Sequence, residues 1–195
     1  MANDGEAMTL SDMPIATRSQ PRVRAAHALR YELNVLAHDA ADVVASIGGW
    51  LFDRRMAGWA VTVALPDPRD DRALRILGVK AVELDGEWPS TTQERIVTTV
   101  VAADLFDADG DVRSQVFAAI RHGEGEVAFW GADAPGQFGG GLRATQYRLS
   151  AAARAFKAHA LAAVGNSEAT RNAVEALLLG GRPAGLLADG LVPIC

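Results

Sequence analysis

Three aspartates stand where apolar, strand-like runs end. Asp67 follows Gly58–Leu65, Asp85 follows Val79–Leu84, and Asp133 follows Glu126–Trp130. Parallel sheets bind ligands beyond the carboxyl ends of their strands. The three residues, with Asp70 and Glu87 beside them, therefore predict one acidic crevice. Clustered carboxylates suit a hard cation such as Mg²⁺ together with a phosphate-bearing molecule. Gly131–Gly141 holds five glycines and one proline in eleven residues, a composition that excludes regular structure and suits a loop closing over the crevice. Arg143 stands at the base of that loop, where a guanidinium meets an anion. The competing reading is turn chemistry, because Asp caps helices and forms Asx-turns.

No complete catalytic set accompanies these residues. Ser-His-Asp, Cys-His and H-E-x-x-H arrangements are all missing, and the single cysteine is Cys195. Asp107-Ala108-Asp109-Gly110-Asp111 begins like a calcium loop, but Val112 and Ala118 stand where an EF-hand needs Gly and Glu. Gly48-Gly49 alone does not make a G-x-G-x-x-G phosphate turn. A second candidate surface is the basic stretch Arg143, Arg148, Arg154 and Lys157, which could face an acidic partner. Trp50, Trp59, Trp88 and Trp130 fall at element ends, where indoles commonly seal a core.

Ala37-His38-Asp39, followed by Gly48-Gly49 and by Gly58 with Val61-Thr62-Val63, resembles the opening of the zinc-dependent N-acetylglucosaminyl deacetylases. Those enzymes use a His-Pro-Asp-Asp cluster to bind zinc and to supply the base. Here the Pro and the paired aspartates are missing, and no later His-Asp-His cluster follows. The likeness covers one supersecondary unit and lacks its chemistry, so the sequence reading sets it aside.

The elements that must position these residues follow from periodicity. Residues 1–20 read as a loose tail. Pro21 opens a helix on whose face Val23, Ala26, Leu29, Leu33 and Leu36 recur. Val43, Val44, Ile47, Leu51 and Met56 predict a second helix over 39–57, ended by Gly58. Trp59–Leu65 is then the first and central strand. Arg72–Leu77 reads as a short helix and Val79–Leu84 as the second strand, a tight parallel unit. The spacing predicts helices over 91–106, 112–121, 147–164 and 168–179, a third strand at 126–130, and an edge strand or coil near 191–194.

The expected fold is a three-layer α/β/α domain, Rossmann-like or flavodoxin-like, with a short, mostly parallel sheet and extra N- and C-terminal helices. Its organisation is a tail (1–20) and one domain (21–195), with helices over 21–57, a β/α core over 58–131, the glycine loop over 131–141 and C-terminal helices over 146–180. A net charge of −5 lacks the basic footprint that nucleic-acid binding needs. No run is long and apolar enough for a membrane span or a signal peptide, so a cytoplasmic protein is expected. The functional expectation is a module binding a small anionic molecule at the carboxyl edge of the sheet. Two alternatives stay beside it. One is a regulatory or adaptor protein that dimerises or docks through its terminal helices; the other is a Mg²⁺-dependent hydrolase or transferase.

Overall fold

Trp59–Leu65 does lead into a strand, but another strand precedes it in the chain and neighbours it in the sheet. The computed structural model describes residues 30–85, 95–122, 126–131, 134–166, 172–180 and 190–193. Its first element is strand β1, Arg30–Leu36, inside the stretch expected to be a helix. Leu33, Val35 and Leu36 are fully or almost fully buried. A short apolar run satisfies helical and strand spacing alike, so periodicity does not separate the two. Two parallel neighbours settle the matter by pairing every residue from Glu32 to Leu36 on both sides.

Helix α1, Ala40–Met56, matches the expected helix, and Asp39 caps it by accepting from the Asp42 amide at 2.8 Å. Strand β2, Ala60–Leu65, follows after Gly58, whose φ of +92° suits glycine. Helix α2, Arg72–Ile76, and strand β3, Lys80–Glu83, complete the expected tight unit. Strand β4, Arg95–Ala102, replaces the helix expected over 91–106. Its β-branched core, Ile96 to Val101, fits a pleated surface better than a helical turn. Helix α3, Ala103–Ala108, helix α4, Gly110–His122, and strand β5, Glu126–Trp130, come next.

The C-terminal part departs further from expectation. Strand β6, Leu142–Arg148, precedes helix α5, Ala151–Ala163, so only the second part of the helix expected over 147–164 forms. Strand β7, Val174–Gly180, replaces the expected last helix; Glu175, Leu177 and Leu179 are buried with strand alternation. Strand β8, Leu191–Pro193, pairs with β6 at the sheet edge.

One sheet of eight strands results, in the order β3-β2-β1-β4-β5-β7-β6-β8. β3 through β5 run parallel, whereas β7 is antiparallel to both β5 and β6, and β8 is antiparallel to β6. The expected short, mostly parallel sheet is thus corrected to a long mixed one. Right-handed crossovers explain why helices cover both faces. The β1-α1-β2 and β2-α2-β3 steps move one way along the sheet and the β4-β5 step moves the other, which puts α1 and α2 on one face and α3 and α4 on the opposite one. α5 packs on α1 and α2. Trp50 is fully buried within α1, and Phe106, Phe117, Phe129 and Phe138 form a second cluster with ring centroids 5.0 to 5.7 Å apart.

Residues 1–29, including the expected tail and the start of the first expected helix, lie outside the described residues, as do Glu87 and Trp88.

Candidate functional site

Asp67 lies in the loop after β2, exposed, and is engaged within its own turn. It accepts from the Arg69 backbone amide at 3.1 Å, from Arg69 Nε at 2.7 Å, and from Arg69 Nη2. The Arg69 hydrogen bonds, side chain first, hold the carboxyl down at about 2. Asp85 follows β3 and lines a groove of about 260 Å³ with Glu32, Asn34, Thr62 and Val82, along one face of β1, β2 and β3. Asp133 lies outside the described residues. The strand it would follow, β5, is three strand spacings from β2, on the order of 14 Å. Arg143 is farther still. It sits on β6, five spacings or roughly 24 Å from β2, beside Leu179 and so level with Ala128 in mid-sheet. Arg143 and Asp67 therefore do not share the expected crevice.

The glycine-rich segment does not hang over that crevice either. Gly136–Gly141 forms a 3₁₀ turn, and Phe138 packs on Phe106, Phe117 and Phe129. Of the expected basic surface, Lys157 is only 5% exposed. Its ammonium donates to Glu175 Oε1 at 2.6 Å and to the Ala45 carbonyl at 2.7 Å. Glu175 also accepts from the Gly49 and Trp50 amides at 2.9 and 2.7 Å, so a carboxylate is wedged into the middle of α1. Burial pushes the Glu175 carboxyl up, against the pull of Lys157 and those two amides. Trp50 and Trp59 do more than seal the core. With Tyr147 they surround the buried Arg54 guanidinium at 5.5 to 5.7 Å from each ring centroid.

The place where chemistry-bearing groups do gather is the carboxyl end of the three adjacent strands β1, β4 and β5. β1 ends at Leu36, and Ala37 donates to the Ala64 carbonyl at 3.2 Å. His38 and Asp39 are exposed in the turn that follows, at the N-terminus of α1. Trp130, the last residue of β5, is 2% exposed, and its indole N–H donates to Asp42 Oδ2 at 2.8 Å. Asp42 Oδ1 accepts from the Ser46 hydroxyl at 2.8 Å. At the ends of β4 and β5, Ala103 lies so close to Gly131 that a Cβ added there would stand 3.1 Å from the Ala103 methyl. Asp104 is exposed at the start of α3. The sequence reading meets this turn only through the deacetylase resemblance and sets it aside. The available signal was the unit it set aside, an apolar run ending in His38-Asp39 ahead of an Asp-capped helix.

The fold defines a mixed α/β class in which a five-stranded parallel half continues into an antiparallel extension. Solved structures similar to it include deacetylases. The zinc-inhibited form of teicoplanin deacetylase superposes with a TM-score of 0.51 at 13% identity, covering 84% of this chain and 98% of that one. The deacetylase–teicoplanin complex gives 0.50 at 14% identity, covering 85% and 99%. A triple mutant of a deacetylase in the teicoplanin pathway gives 0.51 at 16%, covering 84% and 98%. No family model and no curated sequence matches the chain.

These likenesses correct the expected Rossmann-like or flavodoxin-like module for a small anionic molecule: the architecture is the one deacetylases use. The adaptor alternative loses its basis as well, since β1 and β7 stand inside the sheet where terminal helices were to dock a partner. Among the described residues, no helix is long and apolar enough to cross a membrane. One of those deacetylase structures is of a zinc-inhibited form. Among the described residues, however, no group of three His, Cys, Asp or Glu side chains is arranged to hold one. At Asp67 and Asp85 no such group forms among the described residues, and Asp133, the third carboxylate expected there, lies outside them.

Proposed function

We propose that this protein acts on or recognises a small molecule bearing an N-acyl group, at the mouth formed by the carboxyl ends of β1, β4 and β5. The observation that carries the reading is the likeness to deacetylases over more than four-fifths of the chain and nearly all of theirs. The placement of the His38–Asp42 turn supports it. Carboxyl ends of parallel strands are where such sheets present ligands, and here they adjoin the Asp39-capped N-terminus of a seventeen-residue helix. Among the described residues, the exposed groups at that mouth include His38, Asp39, Asp42 and Asp104, which offer an imidazole and carboxylate acceptors for amide N–H and hydroxyl groups. A predominantly acidic mouth of this kind repels an anion and suits a neutral, hydroxyl-rich amide.

N-acetylglucosamine and an N-acylated glycopeptide are the probes of choice, followed by ligand-observed NMR and by assay of released acetate. Saturable binding that weakens at least several-fold in His38→Ala, with an unchanged Tm, is the expected result. Absence of binding to every N-acylated saccharide tested, or binding indifferent to His38→Ala and Asp104→Asn, overturns the reading.

A further inference from the structure

We infer that the β1–α1 turn of this chain is not a zinc centre and that its ligand is bound without metal. The inference rests on the functional reading above, and its ground is the chemistry of the donors. After His38 the chain reads Asp39-Ala40-Ala41, where the His-Pro-Asp-Asp pattern of the zinc deacetylases supplies two carboxylates. Ala40 and Ala41 have no donor atom. Zinc in a hydrolytic site takes three protein ligands at about 2.0–2.2 Å and keeps a further position for water.

The carboxylates that remain are already employed. Asp39 Oδ1 is the cap of α1, accepting from the Asp42 amide at 2.8 Å. Both oxygens of Asp42 are taken, Oδ1 by the Ser46 hydroxyl and Oδ2 by the Trp130 indole, each at 2.8 Å. Those two bonds orient the Asp42 carboxylate toward Ser46 and Trp130. The Asp39 cap likewise directs Oδ1 at the first-turn amides of α1. Among the described residues of this turn, His38 and Asp39 remain to meet a metal, and no group of three His, Cys, Asp or Glu side chains is arranged to hold one, where three are needed. The helix N-terminus accounts for both acids without a cation, since a first-turn carboxylate is stabilised there by the amides and the dipole. In place of a metal, the Asp42–indole hydrogen bond ties the end of β5 to α1.

The test uses the full chain. Equilibrium dialysis against zinc with elemental analysis, and melting with zinc or with EDTA, are run on the native protein and on His38→Ala. The expected result is no zinc retained above the His38→Ala level and the same Tm in zinc as in EDTA. Stoichiometric zinc at micromolar affinity or tighter, lost in His38→Ala, overturns the inference. A converse variant, Ala40→Asp with Ala41→Asp, restores the paired carboxylates and is expected to bring a zinc-dependent rise in Tm; the native measurement decides the matter if that variant fails to fold. N-acetylglucosamine binding measured in EDTA separates the two proposals. Binding that persists supports both, and binding that requires added zinc overturns this inference alone. Absence of binding in either medium overturns the functional reading and leaves the zinc measurement to stand.

Discussion

Single residues here owe their state to partners close in sequence. Asp67 is held at about 2 by Arg69, two positions on. A depressed carboxylate contributes stability above its unfolded value of 3.8 and loses it as pH falls through about 2. Arg69→Ala should bring the Asp67 midpoint back toward 3.8 by NMR titration while leaving the neutral-pH Tm unchanged, because both side chains are exposed. Trp130→Phe tests the opposite case, a buried partner remote in sequence. It removes the indole donor to Asp42 and part of a fully buried ring, and should cost about 1–3 kcal/mol by denaturant melt.

At the scale of the element, α1 is the part most dependent on others. Its middle receives Glu175 from β7, and Gly49 is what makes room. A Cβ at Gly49 stands 2.6 Å from Leu149 Cδ1 and 3.2 Å from Glu175, whereas one at Gly48 meets only the Leu77 Cδ1 atom at 3.2 Å among close contacts. Gly49→Ala should therefore destabilise by about 1–3 kcal/mol and Gly48→Ala by less, since there the gain in helix propensity offsets a contact with a flexible side-chain end. Lys157→Met leaves the Glu175 carboxyl buried without its cation and should cost about 3–5 kcal/mol near neutral pH. Glu175 has a raised pKa, so the protonated form is the one folding favours. Its contribution is full below the unfolded 4.5 and is lost as pH rises through the folded value. The Lys157→Met deficit should accordingly shrink at about pH 4 and grow at about pH 8, read by urea melts at the two values.

For the whole molecule, the sheet order sets a gradient of protection. β1 and β4 are paired on both sides in mid-sheet, while β3 and β8 are the edges. Native-state hydrogen exchange should show the slowest amides at Leu33–Leu36 and Val97–Val101 and the fastest strand amides in β3 and β8. An exchange profile with β8 as slow as β1 contradicts the topology. The same order decides which residues can act together, because the ends of β1, β4 and β5 adjoin whereas β2 and β6 are five spacings apart.

The sequence by itself determined the elements whose signals are local: α1, β2 after Gly58, the short unit through α2 and β3, α4, and β5. Each carries its own start, stop and period. Tertiary structure decided β1, β4, β6 and β7. Leu33, Val97, Val100 and Leu177 fit a helix face as well as a strand, and only pairing with distant neighbours selects the strand. The site went the same way. Asp67 and Asp85 were legible as residues after strands, but which strand ends adjoin is a property of sheet order, and sheet order is not written in spacing along the chain. His38 and Asp39 became a mouth beside Trp130 only once β1 took its place between β2 and β4. The use of Asp42 by the Trp130 indole, 88 residues away, was likewise settled by the fold.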